Sequence, residues 1–152
     1  MSLFHWGDLV ASSSKLLSLH LFLIKEDNIL LLKRCNTGYE DGKYSVVTGY
    51  LNPGEEIKAA MVREAREVVG IKLIPEDLDF VGILHRHDVE DRVDFFLTAA
   101  GWQGKVTNRE PETCDELKWV PIFQLPDNMV PFVKKAILNF RNGILYDSYG
   151  WD

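Results

Sequence analysis

Apolar runs separated by short polar segments predict β-strands in the first third of the chain. The pattern predicts three strands, over residues 16–24, 29–32 and 44–48. A segment rich in Gly, Asn and Asp over residues 35–43 predicts a loop, and residues 49–54 predict a turn. The chain therefore starts with a small β-structure whose last turn leads into the next element.

The clearest helical pattern covers residues 55–69. Its apolar residues recur at steps of three and four along one face, at Ile57, Ala60, Met61, Ala65 and Val68. Glu55 and Glu56 fall in the predicted first turn, where the helix dipole favours negative charge. Gly70 is well placed to end the helix, because glycine readily adopts the left-handed conformation that closes many helices.

The second half of the chain predicts three more strands and another helix. The strands cover residues 80–87, 93–102 and 117–121, and the helix covers residues 130–140. The aromatic tail over residues 144–152 is expected to pack on the body of the protein. This order of elements predicts an α/β (α+β) fold, with a mixed sheet covered by helices on both sides, in a single domain spanning residues 1–152.

Composition and charge narrow the range of partners. Hydrophobic residues make up 46% of the 152 positions and charged residues 26%, as in globular proteins. The formal net charge of −6 argues against binding along a nucleic acid polymer, which needs clustered positive charge. A small anionic ligand is compatible with this charge, because a few local cations and a metal ion outweigh the overall field. The sequence does not fix the oligomeric state, and a homodimer is allowed.

Three features predict a cytoplasmic protein without a membrane segment. The apolar run over residues 16–24 is about half as long as a membrane span. The first fifteen residues lack the pattern of a secretory signal. Cys35 and Cys114 are far apart and lack metal-type spacing, so reduced thiols are the expected state, although a disulfide is conceivable.

Carboxylates on the predicted helix indicate a metal site. Glu64 and Glu67 are three residues apart and share a face, and Glu55 lies about two turns earlier near the same side. Mg²⁺ binds through a few carboxylates and the phosphates of its substrate, and the turn before the helix also favours anions. Arg63 is spaced to pair with Glu67. The alternative, from charge pattern alone, is an amphipathic surface helix with a solvated face.

The glycines and charged residues of this segment follow a known spacing. Five residues separate Gly49 from Glu55, and seven more separate Glu55 from Arg63-Glu64. Glu67 and Gly70-Ile71 follow. This spacing resembles the Nudix box and matches eight of its nine defined positions. The resemblance implies an α/β/α sandwich that hydrolyses the pyrophosphate bond of a nucleoside triphosphate, or of another nucleoside diphosphate linked to a moiety X. It also implies Mg²⁺, with Mn²⁺ as a substitute, to activate water.

The resemblance implies roles for individual residues as well. Glu64 is implied as general base or metal ligand, and Glu67 as a further catalytic residue. The implied metal-binding residues are Glu64, Glu67, Gly49 and Glu55. The implied substrate-binding residues are Arg34, Lys33, Gly49 and Tyr50.

Two positions depart from the family pattern. Val68 stands where the box has the second Glu of an adjacent pair, a principal metal ligand in the family. Metal affinity is therefore expected to fall, and Glu67 must stand in for the missing carboxylate. Thr48-Gly49-Tyr50 replaces the usual Gly-Gly followed by His or Lys. The alternative to an enzyme is a degenerate Nudix domain that binds a nucleotide or nucleotide sugar without efficient cleavage.

Residues 108–119 carry a second resemblance. The segment Asn108-Arg109-Glu110-Pro111-Glu112-Thr113-Cys114, before Trp119, looks like a stretch of the Nudix branch that acts on modified purine nucleoside triphosphates, with Thr113 in place of a Lys. Any extra metal ligand from outside the box would come from Glu112, Asp115 or Glu116, and a charged loop without that role is at least as well supported. His85 and His87 alternate on one strand but lack a third ligand for a transition metal.

Overall fold

The computed structural model describes residues 16–152, in which two α-helices pack against nine β-strands. The strands are β1 (Leu17–Phe22), β2 (Ile24–Lys25), β3 (Asn28–Arg34), β4 (Tyr44–Ser45), β5 (Val47–Tyr50), β6 (Leu78–His87), β7 (Asp91–Ala99), β8 (Cys114–Pro121) and β9 (Tyr146–Tyr149). The helices are α1 (Ile57–Val69) and α2 (Pro131–Arg141), and a short 3-10 helix covers Pro75–Asp77. Neither of these helices is long and apolar enough to cross a membrane. The first fifteen residues, on which the expectation about a secretory signal rests, lie outside the described residues.

The described strands form two sheets. The larger sheet has five strands in the order β5-β1-β7-β6-β9. It is mixed, because β1 pairs with β7 and β6 pairs with β9 in parallel, whereas its other pairs are antiparallel. In the second sheet β3 pairs antiparallel with β2, β4 and β8. The mixed sheet expected from the order of elements is confirmed.

The alternating side chains of β1 separate the two helices. Leu19 and Leu21 belong to a buried cluster with Met61 of α1, whereas Phe22 belongs to a second cluster with Ile137 of α2. Because successive side chains of a strand point to opposite faces, α1 and α2 lie on opposite sides of the large sheet. The α/β/α sandwich implied by the sequence resemblance is confirmed.

Helix α1 begins two residues later than the sequence pattern predicts. The Glu56 carboxylate caps the helix by accepting a hydrogen bond from the Ala59 N–H at 3.1 Å. Glu55 therefore precedes the helix instead of lying in its first turn. Gly70 ends the helix in the left-handed conformation with a φ of 72°, as predicted.

Two other segments differ from their predicted structure. Gly49 and Tyr50, predicted to begin a turn, are the last residues of β5, because they pair with Leu19 and Ser18 of β1. The tail was expected to pack on the body, and it does so as an additional strand, since Tyr146–Tyr149 pairs with β6. Short edge strands with half-exposed side chains carry little of the alternation from which strands are predicted.

A charged network is buried between the neighbouring strands β1, β7 and β6. Asp94 is fully buried, and Arg86 is 6% exposed. His20 Nε2 lies 2.9 Å from Asp94 Oδ1, and Arg86 Nε donates to Asp94 Oδ2 at 2.8 Å. Burial alone would raise the pKa of Asp94, but the hydrogen bonds from His20 and Arg86 bring it below its ordinary value. Asp94 is therefore held as a charged group inside the sheet.

Replacing Asp94 with Asn should lower the free energy of unfolding by about 3–5 kcal/mol, because Arg86 would stay buried without its carboxylate. The folded-state pKa of Asp94 is depressed, so its contribution is present above its ordinary pKa of 3.8 and is lost as the pH falls through the lower folded-state value. Urea unfolding at neutral pH and below pH 3.8 measures both effects. The control is Asp79→Asn on the exposed part of β6, expected to cost less than about 0.5 kcal/mol. Equal costs for the two substitutions would contradict this account.

Candidate active site

Gly49 forms a seat for the carboxylate of Glu64. Gly49 pairs with Leu19 of β1, which fixes the end of β5 beside α1. A Cβ atom added at Gly49 would overlap the carboxylate end of Glu64, so this close approach requires glycine. The Glu64 side chain is 15% exposed in this position. The first glycine of the sequence motif and its central glutamate are therefore in direct contact.

Arg63 gathers three carboxylates on one side of α1. Its Nε and Nη2 donate to the two oxygens of Glu55, each at 2.9 Å. Its Nη1 donates to Glu64 at 2.7 Å and to Glu67 at 3.3 Å, so the predicted pairing of Arg63 with Glu67 is present. Nη2 also donates to the backbone oxygen of Tyr50 at 2.9 Å. One guanidinium thus ties the helix to the last residue of β5.

Both oxygens of Glu55 are engaged. Besides the two bonds from Arg63, Glu55 Oε1 accepts a hydrogen bond from the Asn52 N–H at 3.0 Å. The hydrogen bonds from Arg63 are the largest cause that lowers the pKa of Glu55 below its ordinary value. Glu55 therefore orients Arg63 and closes the turn before the helix.

The pKa of the Glu64 carboxyl group is raised above its ordinary value, mainly because the group is buried. Burial is the largest cause that raises its pKa above the ordinary value, and the charges of Glu67 and Glu110 raise it further. Arg63 opposes this rise through its hydrogen bond and its charge. A half-buried carboxylate with a raised pKa is a better proton acceptor near neutral pH than an exposed one, and a nearby cation would stabilise its charged form.

The donor atoms around Glu64 fit a hard divalent cation. Glu64 and Glu67 contact the same nitrogen of Arg63, so their carboxylates lie on one side of the helix. Carboxylate and backbone carbonyl oxygens, such as that of Gly49, are the ligands that Mg²⁺ and Mn²⁺ prefer. Among residues 16–152, no three acidic, His or Cys side chains are close enough to hold a metal ion by themselves. A cation here would therefore also need oxygens from substrate or water, as is usual for Mg²⁺.

A cavity of about 470 Å³, here called the large cavity, lies beside β5. Its walls combine three arginines, several hydroxyl groups and an apolar surface: Ser18, His20, Arg34, Thr37, Tyr39, Ser45, Thr48, Tyr50, Arg86, Asp88, Val89, Arg92, Val130 and Phe132. The guanidinium of Arg86 lies over Phe132, with Cζ 3.8 Å from the ring centre. The volume and the mixed lining are typical of a pocket for a small molecule.

A second cavity of about 100 Å³, the small cavity, is lined by Val68 of α1 and by Glu110 of the loop before β8. It shares four lining residues with the large cavity: Arg34, Thr37, Ser45 and Thr48. We call these four residues the shared wall. Because they line both cavities, the two cavities lie side by side. A ligand longer than a single base therefore has room on both sides of Arg34.

Three of the four residues predicted to bind substrate line the cavities, whereas Gly49 lines neither of them. Arg34 is held by hydrogen bonds from Nε to the backbone oxygen of Tyr39 at 2.8 Å and from Nη2 to Thr37 at 3.0 Å. Lys33 lines the small cavity, and Tyr50 lines the large one. The structure thus brings the predicted cationic side chains together at the two adjoining cavities.

The three acidic residues considered as extra metal ligands do not line either cavity. Glu112 and Asp115 are exposed, and Glu116 accepts a hydrogen bond from the Tyr44 hydroxyl at 2.8 Å. Glu110 is the acidic residue that lines the small cavity within the described part of the chain. The loop therefore offers a different carboxylate from those expected.

His85, His87 and Trp119, which were named from the sequence, line neither of the two cavities. The rings of His85 and His87 lie 4.7 and 4.9 Å from that of Trp151. Trp119 stacks on Trp102, with the ring centres 6.4 Å apart. Cys35 and Cys114 are free thiols.

Sequence patterns do not single out Arg86, Asp94 or Glu110. Asp94 lies inside the apolar segment 93–97. Because a carboxylate in a buried strand needs a partner, the sequence does indicate that Asp94 is paired with a cationic side chain. The identity of the partner depends on the register of β6 against β7, which the sequence pattern leaves open. The position of Glu110 depends on how its loop docks on α1.

Comparisons with known proteins agree on one family. A profile of the NUDIX domain matches residues 16–140. The chain is 32% identical over 124 residues to a putative 8-oxo-dGTP diphosphatase of Bacillus subtilis (strain 168), covering 81% of this chain and 77% of that protein. It is 30% identical over 107 residues to an NAD-capped RNA hydrolase, NudC, of Stutzerimonas stutzeri (strain A1501), covering 70% of this chain and 37% of that protein. The crystal structure of a MutT Nudix hydrolase from Burkholderia pseudomallei shares the fold, with a TM-score of 0.73 at 22% identity, covering 80% of this chain and 95% of that one.

Replacing Gly49 with Ala should displace the Glu64 carboxylate without unfolding the protein, because the added Cβ meets the flexible end of that side chain. We expect the pKa of Glu64, followed by carbon NMR of its carboxyl group, to fall toward its ordinary value as the group moves into water. Gly101→Ala is the matched control, since no atom lies within 4 Å of a Cβ added there. An unchanged Glu64 pKa in the Gly49→Ala variant would show that the seat does not control this group.

Proposed function

The chain belongs to the Nudix family, and from this premise we propose that it hydrolyses the pyrophosphate bond of a nucleoside triphosphate, or of another nucleoside diphosphate linked to a group X. The family match over residues 16–140 includes α1, the seat of Glu64 and all residues of both cavities. The names of the two relatives, an 8-oxo-dGTP diphosphatase and an NAD-capped RNA hydrolase, both refer to nucleotide compounds. Because the match spans 37% of the length of the latter, the substrate of the present chain is part of the proposal.

The observation that carries this proposal is the position of Arg34 between the small and large cavities. A guanidinium binds phosphate oxygens in a fork, so a diphosphate lying across the shared wall would have its charge neutralised there. Lys33 adds a second cation on the side of the small cavity. A diphosphate bound in this way would have the bond to be cleaved facing α1. Group X would then lie in the large cavity.

In this proposal Glu64, Glu67 and Gly49 form the catalytic and metal-binding part of the site. Glu64 provides the general base or a metal ligand, and Glu67 and the Gly49 carbonyl provide further ligands. A divalent cation bound there, Mg²⁺ or Mn²⁺, would neutralise charge on the phosphates and lower the pKa of a bound water. Glu55 holds Arg63, and Arg63 in turn holds Glu64 on its seat.

Hydrolysis adds the oxygen of one water molecule to a phosphorus atom and breaks the bond from that phosphorus to the bridging oxygen. The proton released by the water passes to the Glu64 carboxylate, whose raised pKa suits proton transfer near neutral pH. The leaving phosphate departs with the bridging oxygen and its electron pair. Arg34 and Lys33 stabilise the negative charge that develops on the leaving group.

The second candidate function is binding of a nucleotide or nucleotide sugar without efficient cleavage. Val68 favours it, because an apolar side chain that is 7% exposed stands where a metal-binding carboxylate is expected. Turnover in the presence of Mg²⁺ or Mn²⁺ supports the hydrolase, whereas tight binding without turnover supports the binding domain.

Glu64→Gln should reduce kcat by roughly 10²–10⁴-fold, because the amide keeps the size of the side chain but does not accept the proton. Phosphate release from a panel of nucleoside triphosphates, nucleotide sugars and dinucleotides, with each of the two metals, measures the effect. The charge-matched control is Glu76→Gln in the exposed 3-10 helix, which should retain full activity. Wild-type turnover by Glu64→Gln would refute the role given to Glu64.

Arg34→Ala should raise KM roughly ten- to hundredfold, which corresponds to about 1.5–3 kcal/mol for a charged hydrogen bond to phosphate. Steady-state kinetics on the best substrate of the panel measures the change. Arg141→Ala removes a guanidinium that lies over Phe123 at 4.8 Å, away from the residues of both cavities, and should leave KM as it is. If kcat/KM of Arg34→Ala equals that of the wild type, the proposed path of the diphosphate is wrong.

A further inference from the structure

The wall of the large cavity carries buried polar groups that lack a partner within residues 16–152. We propose that one of them, Arg86, selects group X by donating two N–H groups to adjacent acceptor atoms on the edge of a flat ring, such as O6 and N7 of a 6-oxopurine. This inference rests on the proposed function and names the residue that determines specificity in the same site.

Arg86 is fixed by contacts along one edge and one face. Its Nε donates to Asp94 Oδ2 at 2.8 Å, and its Nη2 donates to Asp94 Oδ1 at 3.2 Å. The guanidinium lies over the ring of Phe132, with Cζ 3.8 Å from the ring centre. Asp94 is held in turn by His20, whose Nε2 lies 2.9 Å from Oδ1. Because the guanidinium cannot turn without breaking a buried ion pair, its other N–H groups keep a fixed direction.

The end of the guanidinium retains donors for a ligand. Besides the two bonds to Asp94, Nη1 of Arg86 makes a long contact with Asp88 Oδ2 at 3.4 Å. Of the five N–H groups of a guanidinium, these contacts use three. One N–H on Nη1 and one on Nη2 therefore have no partner within residues 16–152. Arg86 is 6% exposed and lines the large cavity, so this cavity is where a partner can reach them.

Two buried hydroxyl groups also open on the large cavity. Ser18 is 2% exposed and Ser45 is 5% exposed, and both residues line this cavity. Neither hydroxyl makes a hydrogen bond within residues 16–152. No fully buried side-chain oxygen in that part of the chain lacks a partner, so both oxygens are reached from the cavity. Because buried polar groups in native proteins have partners, these hydroxyls and Arg86 favour a ligand with several hydrogen-bonding atoms.

The charges around Arg86 favour an uncharged ring over a second anionic group. Asp94 and Asp88 offset the charge of Arg86, and Arg34 is the proposed contact of the diphosphate. A guanidinium neutralised in this way selects by the direction of its N–H groups, which a carbonyl oxygen beside a ring nitrogen matches. A 6-aminopurine places an amino group there, so two donors would face each other. The site would reject it, because the buried N–H groups would stay unpaired.

Two pairs of nucleotides test this selection on the wild-type chain. Inosine and adenosine triphosphate differ mainly at the 6-position, and kcat/KM from phosphate release should be roughly ten- to hundredfold higher for the inosine compound. Guanosine triphosphate and its 7-deaza analogue test the second acceptor, and loss of N7 should lower kcat/KM by about tenfold.

Arg86→Lys tests the two N–H groups while a positive charge stays beside Asp94. Lysine has a compact ammonium group and cannot present two parallel N–H groups in a plane. The preference for inosine triphosphate should fall to about threefold or less, because only the compound with the acceptor loses its contact. A merely structural role would lower kcat/KM equally for both nucleotides and keep the preference.

The matched control is Arg141→Lys. The Arg141 guanidinium also lies over a phenylalanine, at 4.8 Å from Phe123, but it lines neither cavity. This variant should keep the wild-type preference. Thermal unfolding shows whether each variant is folded, and if Arg86→Lys is not, the two pairs of nucleotides on the wild type decide.

Equal kcat/KM for inosine and adenosine triphosphate in the wild type would overturn the inference, and so would an unchanged preference in folded Arg86→Lys. Either result, with turnover intact, would leave the proposed function standing. If the wild type releases no phosphate, the proposed function fails, and titration calorimetry of both nucleotides in EDTA decides the role of Arg86. The inference then requires the same preference in Kd and its loss in Arg86→Lys, and it is wrong if neither nucleotide binds.

Discussion

The guanidinium of Arg63 holds together carboxylates that would otherwise repel one another. It donates to Glu55, Glu64 and Glu67 and to the backbone oxygen of Tyr50. The hydrogen bond with Glu55 is the largest cause that raises the pKa of Arg63 above its ordinary value, so its positive charge is secure. The contact between Glu64 and its glycine seat, and the attachment of α1 to β5, both depend on this charge. The rest of the candidate site is arranged around that fixed carboxylate.

Opposite charges occupy opposite parts of the site, and this explains how an acidic chain can serve an anionic substrate. Carboxylates lie on the side of α1, where a divalent cation would bind, whereas Arg34 and Arg86 line the cavities that we propose for the phosphates and group X. Arg86 is held by Asp94 within the sheet, so its position does not depend on the substrate. The overall charge of −6 therefore says little about the local field, because the site is built from a few fixed charges.

Features set by local spacing could be predicted from the sequence, whereas features set by long-range docking could not. The period of α1, its end at Gly70 and the contact of Arg63 with Glu67 follow from residues within a few turns. The pairing of Arg86 with Asp94 follows from the register of two strands, and β9 is a short edge strand with little pattern. Glu110 was missed because its place depends on a backbone bond between its loop and the helix.

A crystal structure with Mn²⁺ and a non-hydrolysable nucleotide, using the anomalous signal of manganese, tests the central claim most directly. We expect the ion within about 2.5 Å of a Glu64 oxygen, the phosphates on Arg34, and one end of the ligand in the large cavity. An ion bound without Glu64, or a nucleotide seated outside the two cavities, would contradict the account of a metal-dependent pyrophosphate site on α1.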